Sequence, residues 1–232
     1  MAKKVEKQGT KDMNNALNQK EAFFIKYKKA IIAGVIAIIA VVIGLISFKS
    51  CKDSRQLEAS TAMAKAQELF AKQDYEKALK GDSTGTAGFL KIANDYSNTK
   101  AGNLATLYSA ICYARLEKWK EAEQYINKFD PKDDVMASPM AIVAKGDIYA
   151  NLKQPDKAIE AYKKAAEMAE KATKHGHNQS VYPLAMEKAA KVLIQQKKND
   201  EALKIFQDLK SRYLPEFSYQ HEYDKWIEYL SK

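Results

Sequence analysis

The residues able to do covalent or metal chemistry are few and scattered. Of three histidines, His175 and His177 flank a single glycine, and two imidazoles so placed can share a metal ion. A structural or catalytic metal centre needs three or four ligands, and neither a cysteine nor a carboxylate stands beside this pair. The stretch His175–Pro183 (HGHNQSVYP) therefore reads as an exposed polar loop, and no metal or cofactor is assigned to it. The two cysteines, Cys51 and Cys112, lie 61 residues apart and form no disulfide framework. Cys51 follows Phe48-Lys49-Ser50, where a lysine interrupts the small residues that a lipid-attachment signal requires, and Cys112 sits within an apolar helical pattern that marks it as core. The sequence has no GxSxG, HExxH, GxxxxGK[ST] or GxGxxG. No catalytic residue is assigned, and the chain is read as non-enzymatic.

The elements that these residues hang on come from composition and its distribution. The chain has 232 residues, 46% hydrophobic, with 9 Gly, 5 Pro and 2 Cys. Those numbers exclude a collagen-like fibre, a disulfide-stapled miniprotein and whole-chain disorder. The net charge of +9 is unevenly spread: residues 1–29 carry +5, residues 30–48 carry no charge, and residues 59–232 carry +3. A nearly balanced bulk with no basic stripe argues against nucleic-acid binding. The lysine-rich arm suits topology and anionic lipid instead.

Residues 30–48 (AIIAGVIAIIAVVIGLISF) contain no charge, amide or proline, and as a helix they span about 28 Å, the thickness of a bilayer core. A cleaved signal peptide has a shorter apolar region behind a shorter basic stretch, so the run is read as a signal anchor. Lys20, Lys26, Lys28 and Lys29 crowd its N-terminal flank, whereas Lys49, Lys52 and Arg55 are diluted by Asp53 and Glu58. The positive-inside rule then puts the N-terminus in the cytoplasm. Phe23, Phe24 and Tyr27 stand where an interfacial aromatic belt belongs, with Phe48 at the far edge. Within the span, Ala33, Ala37, Ala40, Gly44 and Ser47 recur at steps of four and three and share one helical stripe. Small residues allow close helix approach in lipid, so this stripe is expected to dock another membrane helix, although small residues are common in spans and the same stripe arises by chance.

From Leu57 onward the chain is helical in pattern, with no alternating Val/Ile/Thr run. It also repeats. Ala78, Ala122, Ala158 and Ala202 begin the second helix of four pairs, spaced by 44, 36 and 44 residues, which is the tetratricopeptide period with insertions. The clearest unit is Gly146-x2-Tyr149-x8-Ala158-x3-Tyr162. The same frame yields Ala190, Leu193, Ala202 and Phe206; Ala110, Tyr113 and Ala122; and Ala66, Leu69 and Ala78. Small residues in this frame let antiparallel helices approach while the large ones fill the space to the next unit. The insertion Gly81–Gly88 (GDSTGTAG) leads into an apolar helix containing Phe89, Leu90, Ile92 and Tyr96, and Phe217–Leu230 reads as an aromatic capping helix. The expected fold is all-α: a basic arm (1–29), a transmembrane signal anchor (30–48), a linker (49–56) and a tetratricopeptide-like α-solenoid (57–232).

Without catalytic chemistry, the functional site is a surface. The first helix of each unit lines the concave side of such solenoids, which nominates Met63, Gln67 and Phe70; Leu104, Leu107 and Ile111; Met140, Val143 and Asp147; and Leu184, Glu187 and Lys191. The first three units offer mostly soft apolar side chains suited to an apolar segment or a partner helix, with no small-molecule substrate implied. Burial under the inserted or C-terminal helices would remove some of these positions from the surface.

The approach Gln19-Lys20-Glu21-Ala22-Phe23-Phe24-x2-Tyr27-Lys28-Lys29, the span after it and the imperfect repeats together resemble the YfgM-type ancillary subunits of the bacterial Sec translocon. The resemblance implies a bacterial inner-membrane protein with periplasmic repeats, association with the SecYEG channel, partnership with a membrane-anchored PpiD-like chaperone, and a role in helping newly translocated chains leave the channel. The Gly81–Gly88 insertion and the aromatic C-terminal helix depart from that pattern and bear on which partner is bound. A cell-envelope assembly or division scaffold would use the same repeat surface.

Overall fold

The computed structural model describes the backbone of residues 2–212 and 220–232, and the side chains from residue 26 onward except those of Ile31 and residues 213–221. The described residues form ten helices: α1 (Ala2–Ala71), α2 (Tyr75–Lys80), α3 (Phe89–Asp95), α4 (Lys100–Arg115), α5 (Trp119–Ile126), α6 (Ala137–Asn151), α7 (Pro155–Ala172), α8 (Val181–Gln195), α9 (Asn199–Arg212) and α10 (Gln220–Leu230). Extended pairing among them is limited to one antiparallel bridge, Gly81 to Ala87. The chain divides into two compact units, Met1–Ser54 and Arg55–Lys232.

In the first unit, α1 carries a stretch, within Lys26–Ala71, long and apolar enough to cross a membrane, and none of it is buried. Ala33, Ala37, Ala40, Gly44 and Ser47 are all exposed, and a Cβ on Gly44 would meet nothing within 4 Å. Tyr27 and Phe48, two of the expected belt aromatics, are exposed as well. The side chains of Phe23, Phe24 and Lys20 lie outside the described residues. Residues 49–56, expected as a linker, are helical.

The second unit is a stack of helix pairs, and one turn geometry is stamped four times into its backbone. Gln73, Glu117, Lys153 and Lys197 adopt φ of 62°, 57°, 58° and 60°. Each stands five residues before one of the repeat alanines, so the left-handed residues carry the same spacing as the alanines themselves. After each, the next N–H reaches back five residues: Asp74 to Leu69 O (3.1 Å), Lys118 to Tyr113 O (2.9 Å), Gln154 to Tyr149 O (2.9 Å) and Lys198 to Leu193 O (2.9 Å). The left-handed residue itself donates to Phe70 O, Ala114 O, Ala150 O or Ile194 O. This pair of bonds is the Schellman motif, which caps the first helix of each pair and turns the chain into the second. A β-carbon in this conformation costs about 1–2 kcal/mol, and a glycine returns about 0.4–1 kcal/mol through its looser unfolded chain. Each of Gln73→Gly, Glu117→Gly, Lys153→Gly and Lys197→Gly is therefore expected to raise stability by about 0.5–1 kcal/mol, near-additively, in urea unfolding of the full chain.

The pairs then pack as the spacing requires. Ala66, Ala78, Ala110, Ala122, Ala158, Ala190 and Ala202 have no exposed surface, and Leu193, Phe206, Tyr149 and Tyr162 are buried beside them. Leu69 and Tyr113, at the equivalent positions of the first two pairs, are half-buried. Gly146 lies flat beneath the ring of Tyr162: a Cβ there would stand 2.4 Å from Cε1. The core forms three successive clusters along the stack, as expected where each repeat touches only its neighbours. The insertion becomes part of this core. Asp82 Oδ1 accepts from the N–H groups of Thr84 and Thr86, shaping the loop, and α3 then buries Phe89 and Ile92 completely. At the other end Tyr223 of α10 is buried, and Trp226 stacks on Phe206 at 5.7 Å. Phe217 and Tyr219, expected in the same helix, lie outside the described residues. Cys112 is in the core, where burial pushes its thiol up to about 12 and keeps it protonated.

Candidate partner-binding groove

The first helices of successive pairs line an open cleft of about 740 Å³ within the second unit. Phe70 ends the α1 side. Leu104, Leu107, Tyr108, Ile111, Ala114 and Arg115 come from α4, and Ala137, Met140, Ala141, Ala144, Asp147, Ile148, Ala150 and Asn151 from α6. Both sets follow the three-and-four spacing of one helical face. Trp119 at the start of α5 and Lys188 on α8 complete the lining.

Two polar features are built into this apolar cleft. Asp147 accepts the Tyr162 hydroxyl at 2.7 Å and the Lys188 ammonium at 2.8 Å on the same Oδ1. Burial first, and then the neighbouring Asp147 carboxylate, push the Tyr162 hydroxyl far above its ordinary range, so it stays a neutral donor. Arg115 occupies the last turn of α4 and is exposed. The α1 end is walled by aromatic rings: Phe70 meets Tyr108 edge-on at 5.1 Å, and Tyr108 stacks on Phe89 at 4.9 Å.

Six of the nine nominated residues of the first three units line the cleft: Phe70, Leu104, Leu107, Ile111, Met140 and Asp147. Met63 and Val143 do not, being 3% and 2% exposed. They sit one step round the helix, on the face that packs into the core, and are corrected to core residues. Gln67 is half-buried and outside the lining. In the fourth unit Leu184 is exposed, while Lys191 pairs with Glu187 and, at 3.7 Å, with Glu222 of α10, so this stretch is tied to the terminal helix rather than to the cleft. Tyr108, Ala144 and Arg115 were missed, although they continue the stripes of Leu104 and Met140 and that periodicity alone would have found them. Lys188 likewise lies four residues after Leu184 and three before Lys191, whereas Trp119, at the start of a second helix, carries no such signal.

The His175–His177 loop has a structural role that the sequence reading overlooked. His177 Nδ1 pairs with Glu170 of α7, whose other oxygen accepts the Asn178 N–H at 2.8 Å. Asn178 Oδ1 in turn accepts from the Ser180, Val181 and Tyr182 N–H groups and so opens α8. No group of three potential metal ligands occurs among the described residues. Burial alone would raise the Glu170 carboxyl, but hydrogen bonds from His177 and Asn178 and the Arg212 guanidinium outweigh it and hold it below the usual range. Its folded value is depressed, so its stabilisation is present above its ordinary value of about 4.3 and is lost as pH falls through the folded value. Glu170→Gln should cost about 1–2 kcal/mol at neutral pH, a difference from the parent that shrinks below about pH 4 in parallel thermal melts.

Residues 21–137, half of the chain, match the profile of the tetratricopeptide repeat-like domain. The chain belongs to that family. The match begins ahead of the apolar run in α1 and extends through the second helix pair, into the start of α6. The two further pairs carry the same Schellman turns, so the tetratricopeptide-like architecture continues beyond the matched residues. No curated protein matches the chain. Proteins of this fold typically act as non-enzymatic interaction scaffolds, which suggests a protein–protein interaction role for this chain.

Proposed function

We propose that the chain is a single-pass membrane protein that binds polypeptide in its tetratricopeptide groove, without catalysis, as an ancillary subunit of the bacterial Sec translocon. The observation that carries the reading is the apolar cleft formed by α4 and α6, whose size and lining suit an apolar segment of a partner chaperone or of a newly translocated chain. The apolar stretch of α1 supports the anchor, and its basic N-terminal flank supports a cytoplasmic N-terminus and a periplasmic repeat domain. The SecYEG channel and a PpiD-like chaperone enter through the resemblance of the approach to the span, where the family match also begins.

Purification of the tagged full chain in mild detergent tests this. Translocon subunits and a PpiD-like chaperone should copurify; their absence, under conditions that retain known translocon complexes, would overturn the assignment. The exposed Ala33–Ser47 stripe is the proposed contact with a neighbouring membrane helix. Replacing Ala37 and Ala40 with Leu should reduce recovery of partners several-fold without removing the protein from the membrane, and unchanged recovery would sink that contact.

A further inference from the structure

The charges inside the cleft do not cancel. Asp147 is neutralised from within by Lys188 at 2.8 Å and also accepts the Tyr162 hydroxyl at 2.7 Å. Arg115 lines the same cleft and has no ion-pair partner among the described residues. Its place in the last turn of α4 favours a positive charge there. That helix end does not satisfy the five N–H donors of a guanidinium, which water serves while the cleft is open.

An apolar occupant laid over Leu107, Ile111 and Met140 changes this. It would strip water from Arg115 and leave the donors unmet, at a cost that grows as the cleft dries. A carboxylate on the occupant removes the cost with charge-assisted, bidentate hydrogen bonds, whereas a lysine on the occupant adds like-charge repulsion.

Building on the groove reading above, we propose that the occupant is an apolar polypeptide segment carrying an Asp or Glu side chain that pairs with Arg115. The cleft thereby selects among apolar segments by charge: it accepts those with an acid in register and rejects those with a base.

The test uses the full chain in lipid nanodiscs, with empty nanodiscs as the blank. The probes are fluorescein-labelled Leu/Ala/Ser peptides about four helical turns long, acetylated and amidated so that only the side chain differs. One central position carries Glu, Gln or Lys. The Glu peptide should bind about tenfold more tightly than the Gln peptide, and the Lys peptide more weakly than either. Arg115→Glu should reverse the order in favour of Lys; because residue 115 is exposed, the variant gives up only the favourable placement of a cation at a helix end and its melting temperature falls by no more than about 2–4 °C.

Equal affinities for the Glu and Gln peptides, or an order that Arg115→Glu leaves unchanged, would overturn this inference and leave the groove reading standing. A fourth probe, the Gln peptide with a free C-terminal carboxylate, should bind no more tightly than the amidated Gln peptide; preference for it over the internal Glu would also overturn the inference. If the correctly folded parent binds none of the peptides, the groove reading fails and the inference fails with it.

Discussion

Gly102→Ala is expected to be the most damaging single-methyl change in the repeat domain. Gly102 opens α4 where that helix crosses the end of α3, and a Cβ there would stand 1.9 Å from the Tyr96 carbonyl oxygen and 2.5 Å from its carbon. Neither atom is free to retreat. The Tyr96 carbonyl accepts the Thr99 N–H at 2.9 Å and the Thr99 hydroxyl at 2.8 Å, and the Thr99 hydroxyl in turn accepts the Gly102 N–H at 3.0 Å. The methyl thus breaks the turn and the N-cap of α4 together. The expected loss is about 3 kcal/mol or more, since main-chain atoms rather than a flexible side chain must move. Urea unfolding of the full chain measures it, and parent-like stability would mean that α3 and α4 do not meet as described.

Gly146→Ala should follow closely, through a side chain instead of the backbone. The new Cβ would meet Tyr162 Cε1 at 2.4 Å and Cδ1 at 2.6 Å. Tyr162 is only 3% exposed and is held by its hydroxyl on Asp147, so the ring cannot move aside without losing packing and a buried hydrogen bond. About 2–3 kcal/mol is expected, and more for Gly146→Leu. Because the clash is with one ring, Tyr162→Leu in the Gly146→Ala background should recover at least about 1 kcal/mol of non-additivity. Strict additivity would contradict the contact. The change should reach the groove too, since the Tyr162 hydroxyl and Lys188 share the Asp147 oxygen.

These two glycines mark how much of the molecule its sequence made legible. Gly146 was readable, because its frame with Tyr149, Ala158 and Tyr162 recurs at the same offsets in the other pairs. Gly102 was not: its partner is a carbonyl at the end of the inserted helix α3, and no spacing rule ties a glycine to a backbone atom in an insertion. The left-handed residues at Gln73, Glu117, Lys153 and Lys197 were hidden for a related reason. Glycine is the usual signal for that conformation, and here the Schellman hydrogen bonds hold four long polar side chains in it.

The groove was legible to within one step of helical rotation. Leu104, Leu107 and Ile111 lie on its floor, whereas Met63 and Val143, nominated on the same pattern, turn inward. A helix between two neighbours is apolar on more than one face, so composition alone cannot say which apolar face stays open. Arg115 and Lys188 both continue nominated helical stripes, so their spacing was legible but their function was not, since single charges near apolar stripes are common. Their roles appear only once Asp147 is seen to be satisfied and Arg115 is not.

The most direct test of the central claim, that the cleft of the first helices is where this protein holds other proteins, is site-specific photocrosslinking in cells. Benzoylphenylalanine replacing Ile111 or Met140 in the cleft, or Lys120 or Glu160 on the exposed faces of the second helices, would be irradiated in the whole 232-residue chain. Discrete protein adducts from Ile111 and Met140, and none from Lys120 or Glu160, is the predicted result. Adducts from the second helices with none from the cleft would contradict it.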